Sequence, residues 1–527
     1  MKNIFDGKIR FILNVLFYVF IAQAIIMNVF IAKGPHVAHR VVFLLLLFLT
    51  IKSLKIKSIK IISSAVISLL VAADTTISTL TWLSFDSPFN DGFALSVLGS
   101  NSQEMIAMTG LYIGYFFLFL LMATVFFIKA MRLKPLNKGT VINSIVLILL
   151  VVFTFQSVKY VQHRDGLEGK EEKTWLLVMA RLSSYLPVFN ASYILTAWHQ
   201  LFWMEKLTNS YPDYHFNVLE TNIDTYVLVL GESERIWNMG IYGYEKETTP
   251  QLEAEQHNLM LFRHAISSAP ITNVAVPLAL SAATIDDHRL ETYSDNIINM
   301  ANAAGFYTSW ISAQSAFSSK GSPVASIAYN AKDKLYLTGY DASLLTHFEE
   351  VLARPEKKKF IVLHLYGSHE PQCTRYPESE AVFTQQNDGI NACYDNSVLY
   401  TDSILGKVFS LLNKQKASVF YFSDHALEKD ARKSGVYFHG GTNPSKEAYQ
   451  VPMFIWYSPV IHSTWQGSVV DDRISTSGNN LLLKSWLGLD SNNDFAPLIK
   501  QQQPVDKVLN SASSVLRFST LRDRVVE

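Results

Sequence analysis

The sequence predicts two parts in one chain: five transmembrane helices, then an external α/β domain built on a mostly parallel sheet. Three observations carry this. Nearly all the long apolar runs fall before about residue 157. Lysine and arginine cluster in alternate connections between those runs. From about Asn222, short β-branched and aromatic runs alternate with longer helical stretches. The chain has 527 residues, 45 basic against 45 acidic, with 49% hydrophobic and 17% charged, and a mean hydropathy of +0.15. This composition excludes a disordered chain, and its neutrality gives no support to a nucleic-acid partner.

The first span runs from Phe11 to Ala32 without a charge, long enough for a hydrocarbon core of about 30 Å. No small-residue cleavage site follows it, so a retained anchor is expected rather than a signal peptide. The other spans are Val37–Ile51, Ile61–Leu83, Met108–Ile128 and Thr140–Val158. The second is the weakest, because its dense apolar run begins only at Val41. Lys2, Lys8 and Arg10, then Lys52, Lys55, Lys57 and Lys60, then Lys129, Arg132, Lys134 and Lys138 mark one side; Ser84 to Ala107 has no lysine or arginine. The N-terminus is therefore expected in the cytoplasm and everything beyond residue 158 outside. Only Lys33 and Arg40 run against the pattern. Asp74, near the outer end of the third span, either lines a polar cavity or marks the membrane edge.

The expected boundaries are 1–158 for the membrane domain, 159–221 for a bridge and 222–527 for the external domain. Within the bridge, Trp175–Trp203 is too polar to span. It is expected to lie in the interface or to pack on the external domain.

The external strands are Thr225–Leu230, Phe306–Ile311, Phe360–Leu365, Ser418–Phe422 and Met453–Tyr457. Chemistry in such sheets sits beyond the carboxyl ends of the strands. There lie Glu232, Gln314, His364 with His369, and Asp424 with His425. Carboxylate oxygen and imidazole nitrogen suit zinc or manganese, and His439 adds a further histidine.

Gly231-Glu232-Ser233-Glu234-Arg235, Gly243-Tyr244 and Thr248-Thr249-Pro250 resemble the opening signature of the bacterial inner-membrane phosphoethanolamine transferases, members of the alkaline phosphatase/sulfatase superfamily. Thr272 lies five residues before Pro277, as the nucleophilic threonine of that family does. Ser319-Lys320-Gly321, His364-x-x-Gly367-x-His369, Tyr394-Asp395-Asn396, Ser423-Asp424-His425 and Gly435 to Gly440 follow in the family's order. The resemblance covers the whole chain and implies a sulfatase/alkaline-phosphatase-like fold behind five spans. There are two departures. Asp424-His425 is followed by Ala426-Leu427, which displaces the family's usual glutamate to Glu428. The cysteines around the nucleophile loop of several relatives are absent, leaving only Cys373 and Cys393, and an external location makes a disulfide between them the natural inference.

The resemblance implies a metal, zinc before manganese, held by Glu232, Asp424 and His425, with Thr272 as fourth ligand and nucleophile. Lys320, His369 and His439 are implied at the phosphate, and His364 has either that role or a purely structural one. Ser100 to Glu104 resembles a lipid-contacting external loop, with Glu104 against the ethanolamine ammonium or simply solvated. The implied partners are phosphatidylethanolamine as donor, an envelope glycolipid or glucan as acceptor, and membrane lipid, with the protein a monomer in the inner membrane and its catalytic domain periplasmic.

Alternatives are a glycerolphosphate transferase of the lipoteichoic-acid type and an inactive receptor or scaffold. Sulfate-ester hydrolysis is disfavoured, because Cys373-Thr374-Arg375-Tyr376-Pro377 lacks the C/S-x-P-x-R arrangement. The displaced Glu428 and shortened nucleophile loop point to a lipopolysaccharide-core or glucan acceptor before lipid A.

Overall fold

A computed structural model describes residues 2–31, 36–85, 87–100, 105–106, 108–134, 140–164, 178–179, 182, 185–314, 322–384, 386, 391–429, 436–489 and 494–523. They form two compact units: Met1–Ala94 with Met105–His199, and Leu95–Glu104 with Gln200–Glu527.

In the first unit, four helices are long and apolar enough to cross a membrane, judged by length and composition: Gly7–Val29, Lys57–Phe85, Tyr112–Arg132 and Ser144–His163. The expected second span also forms a helix, His36–Ser53, but falls outside that group. It opens with His36, His39 and Arg40 and closes with Lys52, which leaves a short apolar centre. Arg40 and Asp74 are both buried and face one another, Nη2 to Oδ2, at 3.7 Å. Arg40 Nε also donates to Asn28 Oδ1 at 2.5 Å. Asp74 therefore lies inside this unit, not at a solvated rim, and Arg40 is a paired interior charge. One of the two exceptions to the charge bias is thus not a loop charge at all.

The second unit is built on an eight-stranded sheet. In chain order its strands are β1 (Thr225–Gly231), β2 (Leu259–Ile266), β3 (Tyr307–Ser312), β4 (Asp333–Tyr336), β5 (Lys359–His364) and β6 (Ala417–Ser423). After a two-residue hairpin of β7 (Glu428–Lys429) and β8 (Tyr437–Phe438) come β9 (Met453–Tyr457) and β10 (Ser468–Ser475). The spatial order is β10-β2-β9-β6-β1-β5-β3-β4. Only β9 runs against the rest. β1 is buried along its whole length. Tyr226, Leu228 and Leu230 join one apolar cluster and Val227 and Val229 the other, so both faces of the sheet are covered.

Parallel register fixes where the chemistry gathers. Leu230 sits beside His364, Gly231 beside Ser423, and Ser312 beside His364. The carboxyl ends of β6, β1, β5 and β3 are thus adjacent, and the residues that follow them meet at one edge.

Cys373 and Cys393 form a disulfide. It closes a loop with a sequence separation of 20, which in the chain-entropy model is worth roughly 3 kcal/mol. Cys373→Ser should therefore lower the thermal midpoint of the purified protein. Two freely labelled thiols in the native chain would contradict the bridge.

Candidate active site and metal centre

The turn after β1 presents Glu232, the turn after β6 presents Asp424 and His425, and a nine-residue helix, Thr272–Leu280, begins with Thr272. Backbone bonds lock the turns together. Asp424 N donates to Gly231 O at 3.1 Å, and Ser368 N donates to Glu232 O at 2.9 Å. Gly367 makes the second contact possible: its φ is +49°, and a Cβ there would lie 2.7 Å from Glu232 O.

Glu232, Asp424 and His425 are buried, and one ligand atom from each lies within 4.8 Å of the others. His425 Nε2 is 3.3 Å from Glu232 Oε1 and 3.4 Å from Asp424 Oδ2. Thr272 Oγ1 is 3.2 Å from Glu232 Oε2 and 3.4 Å from His425 Nε2. Thr272 is only partly buried, whereas the trio is fully buried.

The trio fits a divalent cation. Asp424 Oδ1 accepts from the backbone N–H of Ser233 at 3.1 Å and of His425 at 2.7 Å. Its Oδ2 is buried with no hydrogen-bond donor, a costly arrangement unless a cation faces it. His425 Nδ1 lies 3.2 Å from Ala426 O, which leaves Nε2 facing the carboxylates.

The metal-free electrostatics show the same need for positive charge. Burial acts to raise Glu232, but hydrogen bonding and charge from His425 outweigh it and hold the carboxyl well below its ordinary value. Burial and the Glu232 charge push Asp424 up to about 7. For His425, burial acts to lower the pKa, while the Asp424 charge and the Glu232 hydrogen bond prevail and raise it to about 9.

The other residues singled out by sequence fall as follows. His439 stacks on His425 with ring centroids 4.5 Å apart, and His369 lies 6.4 Å from His439. Burial and the two neighbouring imidazoles lower His439 to about 3, so it is a neutral acceptor. His364 is the last residue of β5; it is buried and its Nδ1 bonds Ser312 Oγ at 3.0 Å. That bond suits the structural alternative, and burial lowers its pKa to about 4. Glu428 stands away from the trio, its Oε2 accepting from Ser445 N at 2.8 Å and Arg522 Nη2 at 3.0 Å. It anchors the C-terminal segment. Lys320 with Ser319 and Gly321, Glu104 and Gly435 lie outside the described residues.

Two positioning groups were not assigned site roles on sequence grounds. Gln314 Nε2 donates to Glu232 Oε2 at 3.1 Å and to Leu365 O at 2.8 Å, bracing the carboxylate. Its place after β3 was visible in the sequence, but its use was not. Asp341 accepts from Tyr366 N at 2.7 Å and Gly367 N at 3.0 Å, holding the turn that carries His369. No local sequence signal marks it, because its partners are 25 and 26 residues away.

A sulfatase family model matches residues 224–489. The chain belongs to the sulfatase family. Residues 1–208 match the N-terminal domain of the transferase YhbX. Over 506 residues the chain is 39% identical to "Putative transferase YhbX" of Escherichia coli K12, covering 95% of this chain and 93% of that one. It is 32% identical over 272 residues to the phosphoethanolamine transferase EptC of the same strain, covering 46% of each. Among solved structures, the integral membrane lipooligosaccharide phosphoethanolamine transferase A of Neisseria meningitidis superposes with a TM-score of 0.62 at 21% identity, covering 82% of this chain and 85% of that one. The periplasmic domain of Escherichia coli EptC, in complex with zinc, superposes with a TM-score of 0.52 at 24% identity, covering 59% of this chain and 97% of that one. These two likenesses show the fold.

Proposed function

We propose that this protein transfers phosphoethanolamine from phosphatidylethanolamine to an envelope acceptor, through a covalent intermediate on Thr272. The observation that carries the reading is the position of Thr272 Oγ1, within 3.4 Å of both Glu232 and His425, on a residue that is only partly buried. The relatives named as phosphoethanolamine transferases supply the reaction class. The protein sits in the inner membrane with five crossings, His36–Ser53 included, its N-terminus cytoplasmic and its catalytic unit periplasmic. The exposed Leu195, Trp198 and Phe202 on the helix Asn190–Leu207 suit an interfacial bridge.

Glu232, Asp424 and His425 would hold the metal, zinc on this donor set and on the zinc complex of a fold relative. When bound, it supplies Lewis-acid activation of the Thr272 hydroxyl and charge stabilisation. Thr272 Oγ1 forms a bond to phosphorus and gives up its proton, which the adjoining carboxylate site or solvent takes. The bond from phosphorus to the diacylglycerol oxygen breaks, and His369, rather than the neutral His439, returns a proton to that oxygen. An acceptor hydroxyl or phosphate oxygen then attacks phosphorus, and Thr272 Oγ1 departs with its proton restored. Lys320, with the same histidines, steadies the phosphate oxygens.

Mass spectrometry of envelope glycolipids and glucans from cells with and without the gene tests the reading. A phosphoethanolamine increment on a lipopolysaccharide core or glucan should depend on the gene. An increment of glycerolphosphate instead would favour the lipoteichoic-acid type of reaction.

A further inference from the structure

The donor named above is a zwitterion. Thr272 and the histidines account for its phosphate, but among the described residues none has yet been set against the ammonium two carbons away; Glu104, the sequence candidate, lies outside them. Glu370 directly follows His369, and its backbone carbonyl lies 2.8 Å from His369 Nδ1. That bond ties the orientation of the imidazole to the backbone that carries the glutamate. Three residues on, Cys373 pins the same segment through its disulfide to Cys393. The carboxyl oxygen Oε1 is buried and receives no hydrogen bond. No ion pair to Glu370 occurs among the described residues. The charge acting on this carboxyl is that of His425. The group of Glu232, Asp424 and His425 that could share a metal ion does not include it.

Glu370 as a whole is half-buried, but a buried carboxylate oxygen without a donor is costly, and one beside a phosphate-binding histidine is placed to receive a cation linked to that phosphate. We propose that Glu370 is the specificity residue that binds the primary ammonium of the phosphoethanolamine group, in the donor and in the Thr272-bound intermediate. This rests on the transferase reading and deepens it by assigning the cationic half of the substrate to a residue of the enzyme's own rim. Burial raises the Glu370 pKa to about 7, and a docked ammonium would hold the carboxyl ionised.

The test uses the full-length protein and two soluble diesters, p-nitrophenyl phosphoethanolamine and its isostere without the ammonium, p-nitrophenyl propyl phosphate. Wild type should prefer the aminoethyl ester in kcat/KM. Glu370→Gln should cut that preference by about 10- to 100-fold, the worth of a charge-assisted contact, through loss on the aminoethyl ester. Glu370→Asp should recover part of it, and zinc content should match wild type in both variants. A proportionate fall on both esters would make Glu370 a structural or proton-transfer group and overturn the inference. So would an indifferent wild type, or loss of the preference in Glu104→Gln but not in Glu370→Gln; each leaves the transferase reading standing. Wild type that discharges neither ester nor phosphatidylethanolamine overturns both.

Discussion

Thr272→Ala should lose transfer by about ten-thousand-fold or more, the scale seen when a nucleophile is removed from a unit that works together. Among the described residues, the Thr272 hydroxyl is the nucleophile that the fold sets against both Glu232 and His425. Two successive displacements also let a lipid and a bulky acceptor use the same small site in turn. Slow hydrolysis of the donor in the absence of acceptor should disappear together with transfer, because both need the intermediate. Thr272→Ser should retain part of the activity, since it keeps the hydroxyl. The helix Thr272–Leu280 has seven buried residues from Val274 to Leu280, so the alanine variant should keep its circular dichroism spectrum.

Asp424→Asn should lose both the metal and turnover. Outer-sphere substitutions around a metal cost about 10- to 100-fold in affinity, and loss of a direct ligand should cost at least as much. Asparagine can keep Oδ1, which accepts from the Ser233 and His425 backbone, so the turn should survive. The amide would replace Oδ2, the atom with no donor of its own, and would point N–H groups at the cation. Equal metal content in wild type and variant would remove Asp424 from the ligand set. Acid should weaken uptake in the wild type. With His425 at about 9 and Asp424 at about 7 in the empty site, both groups must shed protons to bind, so affinity should fall as pH drops through and below that range. Glu428→Gln, which touches Ser445 and Arg522, should leave metal content unchanged.

Much of the catalytic unit was legible because buried parallel strands advertise themselves. β1, β3, β5, β6 and β9 are dense in β-branched and aromatic residues, and the motif residues follow several of them directly. β2, β4 and β10 were not predicted. β2 is interrupted by exposed Arg263 and His264. β4 and β10 are edge strands, where water on one side permits Asp333, Lys334, Asp471, Asp472 and Arg473. Only β2 has an apolar run, Leu259 to Phe262, and it stops at that exposed pair. The membrane unit misled in the opposite way: Arg40 ran against the charge pattern until Asp74, 34 residues later, proved to face it. Likewise Asp341 braces the His369 turn from a distance that no local pattern reveals. What escaped the sequence was pairing between distant polar groups. What it disclosed was the strand ends, and with them the trio.

The central claim is that phosphoethanolamine passes through Thr272, and intact-mass analysis tests it most directly. The full-length protein, loaded with zinc, is incubated with phosphatidylethanolamine and no acceptor, then fragmented to locate any adduct. The account predicts a single phosphoethanolamine increment on Thr272, absent in Thr272→Ala and discharged on addition of acceptor. An adduct on another residue, or transfer at near wild-type rate by Thr272→Ala, would contradict it.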